Sequence, residues 1–292
     1  MYTKIAIIAT FFSLWLSGYL QSPNQEYAAF ILIFSLGILH GSNDIKLLSK
    51  VDTSANTFKL VLYIIVYIAV VLIAGLLFYY IPTIALILFV IFSAFHFGEQ
   101  HWNNIEGIGI NFNRILFLSY GLSVLFLLFV CNPEPTIKII FELCSIQFNS
   151  DWFVWLLAAS VICWGLYAGI LVYKKKLSLD RLLFEIFLLF VLALVFKTAT
   201  LIWAFAIYFI YWHSIPSMLE QINFLYNEVS IKSFLKYLKS SFLLWLISIS
   251  SLFLTFFLLQ NEAYLYPLVF AFLGSITFAH SFIISWMFSL KK

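Results

Sequence analysis

Apolar runs of about twenty residues recur along the whole chain, separated by short polar breaks. A twenty-residue helix rises about 30 Å, the hydrocarbon thickness of a bilayer. The pattern predicts an all-α, polytopic bundle of about ten transmembrane helices, near residues 5–20, 27–46, 58–80, 83–102, 112–132, 151–173, 181–197, 199–220, 240–260 and 264–288. Pro82 marks the turn between the third and fourth spans, because a proline inside a helix would disrupt it. The seventh and eighth adjoin at Lys197-Thr198 and are the hardest pair to divide. The longest breaks, Asn132–Ser150 and Gln221–Lys239, each have room for an amphipathic interfacial helix. No break resembles a soluble domain or a flexible linker, so residues 1–292 read as one integral membrane domain.

Composition agrees with this reading. Of 292 residues, 64% are hydrophobic, 20% aromatic and 10% charged. A soluble domain is charged at about 25% of positions. So much apolar surface needs lipid as its solvent. The net charge of +3 is scattered, with no basic stripe to hold nucleic acid. The three cysteines, Cys131, Cys144 and Cys163, lack metal-type spacing and are too few for a disulfide framework. The first apolar segment follows Lys4 but has a poor cleavage site at Ser17-Gly18-Tyr19, which favours a retained helix over a signal peptide.

Basic residues orient the spans. With the N-terminus inside, the cytoplasmic segments hold Lys4, Lys46, Lys50, Lys59, Arg114, Lys174–Lys176, Arg181, Lys232, Lys236, Lys239, Lys291 and Lys292. The opposite segments hold only Lys138 and Lys197, with Glu26, Glu134, Glu142, Asp151 and Glu262. Lysine and arginine accumulate on the cytoplasmic side of short loops. The alternation places both termini in the cytoplasm and the protein in a bacterial-type inner membrane.

Four of the five histidines then share a depth. His40, His96, His213 and His280 fall on spans running from outside to inside, 13 to 16 residues from the outer end. That spread is about one helical turn. His101 lies nearer the cytoplasmic interface. A lone intramembrane histidine is most simply a hydrogen-bonded side chain, but four at one level fit a shared metal ion. Asp44 follows His40 by four positions and Glu99 follows His96 by three, one turn in each case. A carboxylate there would accept the second N–H of an imidazole and fix its tautomer. For Asp44, contact with cytoplasmic water or with Lys46 is the competing reading. All-imidazole ligation suits iron, zinc, copper or nickel, and paired histidines on facing helices also suit haem. A metal or proton relay would need polar residues running on to the outer face, yet residues 28–35 and 83–92 are almost wholly apolar.

Three strings occur in order: Gly37-Ile38-Leu39-His40-Gly41-Ser42-Asn43-Asp44, Ser93-Ala94-Phe95-His96-Phe97-Gly98-Glu99 and Tyr208-Phe209-Ile210-Tyr211-Trp212-His213-Ser214. Together they resemble the bacteriorhodopsin-related Brp/Blh family of membrane beta-carotene 15,15'-dioxygenases. The resemblance implies cleavage of the central double bond of beta-carotene by O2 into two retinal molecules. It also implies a non-haem Fe(2+) held by histidines, and a functional link to a rhodopsin. His40, His96 and His213 match the family's iron ligands. The family's fourth histidine belongs to an HSxxH pattern, and here that position is Ser217. His280 is the candidate replacement, His101 the reserve, and a three-histidine iron with an added water a further option. Another carotenoid substrate stays open. Phe92, Phe95, Phe97, Trp102, Trp203, Phe205, Tyr208, Tyr211 and Trp212 flank the histidines and are candidate walls of a hydrophobic tunnel.

Overall fold

The structure is a computed structural model that describes residues 2–52, 56–103, 110–259 and 265–290. Lys291, Lys292 and Glu262, used above for orientation, lie outside the described residues. Among the described residues the chain is all helical, with fourteen α-helices and two π-helical turns. Eight helical segments are long and apolar enough to cross a membrane. They match eight of the ten expected spans. The other two also form helices but differ in character. The first, Tyr2–Ser17, has only 16 residues, and Leu179–Thr198 carries Asp180, Arg181, Glu185 and Lys197.

The chain divides into two compact units, with boundaries that fall inside helices. Unit 1 comprises Met1–Ile33, Ser93–Ile140 and Ile146–His213. It holds α1 (Tyr2–Ser17), α2 (Ser22–Leu32), the end of α6 (Pro82–Trp102), α7 (Ile110–Cys131), most of α8 (Pro133–Cys144), α9 (Asp151–Tyr173), α10 (Leu179–Thr198) and α11 (Leu201–Tyr208). α1 is polar inward and apolar outward. Thr10, Ser13 and Ser17 form its buried stripe, while Ile8, Phe12 and Trp15 are exposed. Thr10 Oγ1 accepts from Trp212 Nε1 at 3.0 Å, and Ser17 Oγ accepts from Trp203 Nε1 at 2.9 Å. Small polar residues let helices approach and hydrogen-bond where lipid covers the other face. Trp203 and Trp212, expected as tunnel walls, therefore tie α1 to this unit. The uncertain boundary near Lys197-Thr198 is real: α10 ends at Thr198, and α11 begins at Leu201. Gln25 Oε1 accepts from the Thr200 backbone N–H at 2.9 Å across that break.

α6 and α7 meet backbone to backbone. A Cβ at Gly98 would lie 1.8 Å from the Phe117 carbonyl oxygen, and one at Gly121 would lie 1.8 Å from that of Ala94. The two contacts are four residues apart on each helix, so they form one continuous seam.

Unit 2 comprises Phe34–Phe92, Phe141–Ser145 and Ser214–Lys292. It contains α3 (Ile38–Gly41), α4 (Asp44–Val51), α5 (Thr57–Tyr80), the start of α6, α12 (Ile215–Tyr226), α13 (Ile231–Leu259) and α14 (Leu265–Leu290). Leu47, Leu48 and Val51 of α4 pack on Ile283, Ile284 and Met287 of α14. Ala74 and Phe78 of α5 pack with Ala85 and Phe278. Phe92 joins this group through edge contacts with Phe278, so it too serves helix packing.

The two expected interfacial helices have different outcomes. Residues 133–144 form α8, which buries Thr136 and Ile139 on one face. Residues 221–239 form no separate helix. α12 runs to Tyr226 and ends at Asn227, whose left-handed backbone (φ 58°) stops it, and α13 begins at Ile231. Asparagine tolerates that conformation better than most residues. The polar residues of this stretch belong to the ends of two long helices.

Candidate metal centre

Each unit contains one buried histidine pair. In unit 1, His96 of α6 and His213 meet edge to face, with ring centroids 4.5 Å apart. His213 lies in the π-helical turn Phe209–Ser214, which follows α11 directly. Such turns add a residue to the helical register and recur at functional sites. Phe97 packs against the His213 ring at 4.7 Å, and Phe209 stacks on it at 5.6 Å. Phe97 also meets Tyr208 at 5.4 Å. Three of the expected aromatic residues thus surround this pair or lie next to it: Phe97, Tyr208 and, through Phe209, Phe205. Glu99 is buried on α6, one turn beyond His96.

In unit 2, His40 and His280 also meet edge to face, with centroids 4.7 Å apart. The π-helical turn Ile33–Gly37 precedes α3. His40 Nδ1 donates to the Gly37 carbonyl, since a carbonyl can only accept. His280 Nδ1 donates to Asp44 Oδ1 at 2.8 Å. A neutral imidazole with its proton on Nδ1 carries its lone pair on Nε2. Both rings are thereby set as Nε2 ligands.

Asp44 was expected to serve His40, and the structure pairs it with His280 instead. The cause is local. Ser42-Asn43 interrupts the helix, and α4 starts afresh at Asp44, so four-residue spacing no longer means one helical face. The His40 carbonyl takes side-chain donors from α12 and α13. Gln221 Nε2 donates to it at 2.9 Å and Tyr237 O–H at 3.1 Å. Tyr237 O–H lies 2.9 Å from Gln221 Oε1, and Gln221 Nε2 donates to Ser217 Oγ at 3.1 Å. Ser217 thus belongs to a neutral hydrogen-bond lattice that holds the His40 backbone.

His101 is engaged elsewhere in unit 1. Its Nδ1 lies 3.6 Å from Glu185 Oε2 and 3.4 Å from the Tyr120 hydroxyl, which itself donates to Glu185 Oε2 at 2.6 Å. Arg181 pairs with Glu185 Oε1 at 2.7 Å and donates to the His101 carbonyl at 3.0 Å. This network was not anticipated from the sequence. The signal for it was an acid inside an otherwise apolar helix, flanked by Arg181 one turn earlier. Glu185→Ala should lower stability by about 1–3 kcal/mol, because it strands two buried donors while Arg181 can turn to water. A thermal scan of detergent-purified protein tests this, and an unchanged midpoint would refute it.

The donor set fits a first-row transition metal. It offers buried imidazoles and no nearby cysteine, and the nitrogen tautomer is fixed in two of the rings. It fits haem less well. Axial histidines must lie on opposite faces of a macrocycle, and within each pair the rings touch edge to face.

Comparison with known proteins agrees with these features. No curated protein and no solved structure matches the chain. A family profile described as beta-carotene 15,15'-dioxygenase matches residues 31–288, a stretch that contains all four histidines and Asp44. With that match spanning nearly its full length, the chain belongs to the beta-carotene 15,15'-dioxygenase family.

Proposed function

We propose that the protein cleaves the central double bond of beta-carotene with O2, giving two molecules of retinal, at a non-haem ferrous iron held by His40, His96, His213 and His280. The observation that carries this reading is the pair of buried, edge-to-face histidines in each unit of a chain from this family. Ferrous iron, when bound, would activate ground-state O2 for reaction with a closed-shell alkene. The balance needs no added reductant: the alkene supplies the electrons, and both oxygen atoms enter product, one to each aldehyde, as the carbon–carbon double bond breaks.

The rest of the work falls to the protein's own residues. Nδ1 of His40 and of His280 is tied to an acceptor, so neither ring needs to reorient on loading. Phe97 and Phe209 press on the His213 ring and keep water from it. In unit 2 an apolar cleft of about 340 Å³ is lined by Ile38, Gly41, Tyr67, Leu72, Leu244 and Ile276, with Asp44 also in its wall. Gly41 faces the His280 ring, and Asp44 hydrogen-bonds it. The cleft therefore gives an apolar chain a route from lipid to the histidine level. A stiff, water-insoluble polyene is the substrate such a route suits.

Charge bias supports a reading with both termini in the cytoplasm of a bacterial-type inner membrane, and the retinal produced would suit a rhodopsin as its consumer. The direct test is expression in bacteria that accumulate beta-carotene, with retinal measured in extracts and His96→Ala as the control. Colour loss with retinal, both absent in the control, is expected. Persistent colour with well-folded protein in the membrane would overturn the substrate assignment. A Soret band in the purified protein would overturn the non-haem assignment.

A further inference from the structure

The family pattern has a histidine at position 217, and this chain has Ser217. Ser217 sits in a network of neutral groups. Its hydroxyl meets the Gln221 amide, which is shared with Tyr237 and the His40 carbonyl. The same unit contains a second polar arrangement, built on α4, α5 and α14. Asp44 Oδ1 accepts from His280 Nδ1 at 2.8 Å, and Asp44 Oδ2 accepts from the Tyr67 hydroxyl at 2.9 Å. Asp44 and His280 are 1% and 3% exposed, so water does not compete for these bonds.

We infer that Asp44, braced by Tyr67, is the positioning residue that orients His280 and strengthens it as a donor. The inference rests on the iron reading above and names its regulation. A carboxylate that accepts the Nδ1 proton raises the electron density at Nε2 more than a peptide carbonyl does. For His40 the acceptor is the Gly37 carbonyl. The two histidines of unit 2 are therefore tuned differently, His280 being the stronger donor. Tyr67 occupies the second carboxylate oxygen and keeps Asp44 from swinging away.

The test uses the full-length protein in detergent, stripped of metal and titrated with Co(II) against a chelator, while the d–d absorption bands are followed. Asp44→Asn should weaken cobalt affinity by about 10–100-fold and shift the bands. Tyr67→Phe should move both in the same direction by less, and His280→Ala should weaken binding more than either. Size-exclusion elution and far-UV circular dichroism verify the fold. Wild-type affinity and spectrum in Asp44→Asn, or wild-type affinity in His280→Ala, would overturn the inference. If Asp44→Asn fails to fold, Tyr67→Phe decides, and a wild-type spectrum there also overturns it. A wild-type protein that binds neither Co(II) nor Fe(II) would overturn the iron reading itself. That outcome is distinct from wild-type binding with indifferent variants.

Discussion

A leucine at position 98 abolishes the folded protein. Even the Cβ of alanine would fall 1.8 Å from the Phe117 carbonyl oxygen, well inside contact distance, and the obstacle is backbone that cannot rotate away. α6 and α7 would have to separate. Separation would also break the matching contact of Gly121 with the Ala94 carbonyl, because both belong to one seam. In lipid, helices associate through close packing with little hydrophobic drive, so a lost seam is not made good by burying leucine elsewhere. His96 lies between Ala94 and Gly98 on α6 and would move with the helix. Membrane expression followed by fluorescence-detected size exclusion measures the effect. Gly98→Leu is expected to give aggregate or no protein, and Gly98→Ala a reduced peak. A monodisperse Gly98→Leu protein that still makes retinal would refute the seam.

The second large effect is chemical. His213→Ala should cut retinal formation by at least about 100-fold and lower bound iron, while the protein still reaches the membrane. His213 is fully buried within unit 1, and its ring contacts are His96, Phe97 and Phe209. Truncation leaves a cavity that costs about 3 kcal/mol, which a large helical bundle tolerates better than a backbone clash. His101→Gln should behave differently. His101 is held by Glu185 and Tyr120, so its replacement should lower thermal stability and leave the iron content intact. Iron analysis and retinal assays on matched amounts of folded protein separate the two. Equal loss of iron in both variants would mean that the histidine level was misassigned.

The expected interfacial helix at 133–144 and the break before Thr200 were legible because composition changes sharply there. The stretch 221–239 was misread. Its polar residues look interfacial in one dimension, yet Gln221 and Tyr237 point inward to the His40 carbonyl. Trp203 and Trp212 looked like tunnel walls because an aromatic residue in a span has no visible partner until the hydroxyls of α1 are beside it.

The sequence by itself determined that the chain is a helical membrane protein and where most of its spans lie. Those properties depend on run length and rise per residue, which are local. Only the tertiary structure decided which histidine meets which in each unit, that Asp44 serves His280, and that Glu185 joins His101. Each of these depends on which helices are neighbours and how they are turned. The break at Ser42-Asn43 then redirects a side chain that helical spacing alone had placed beneath His40.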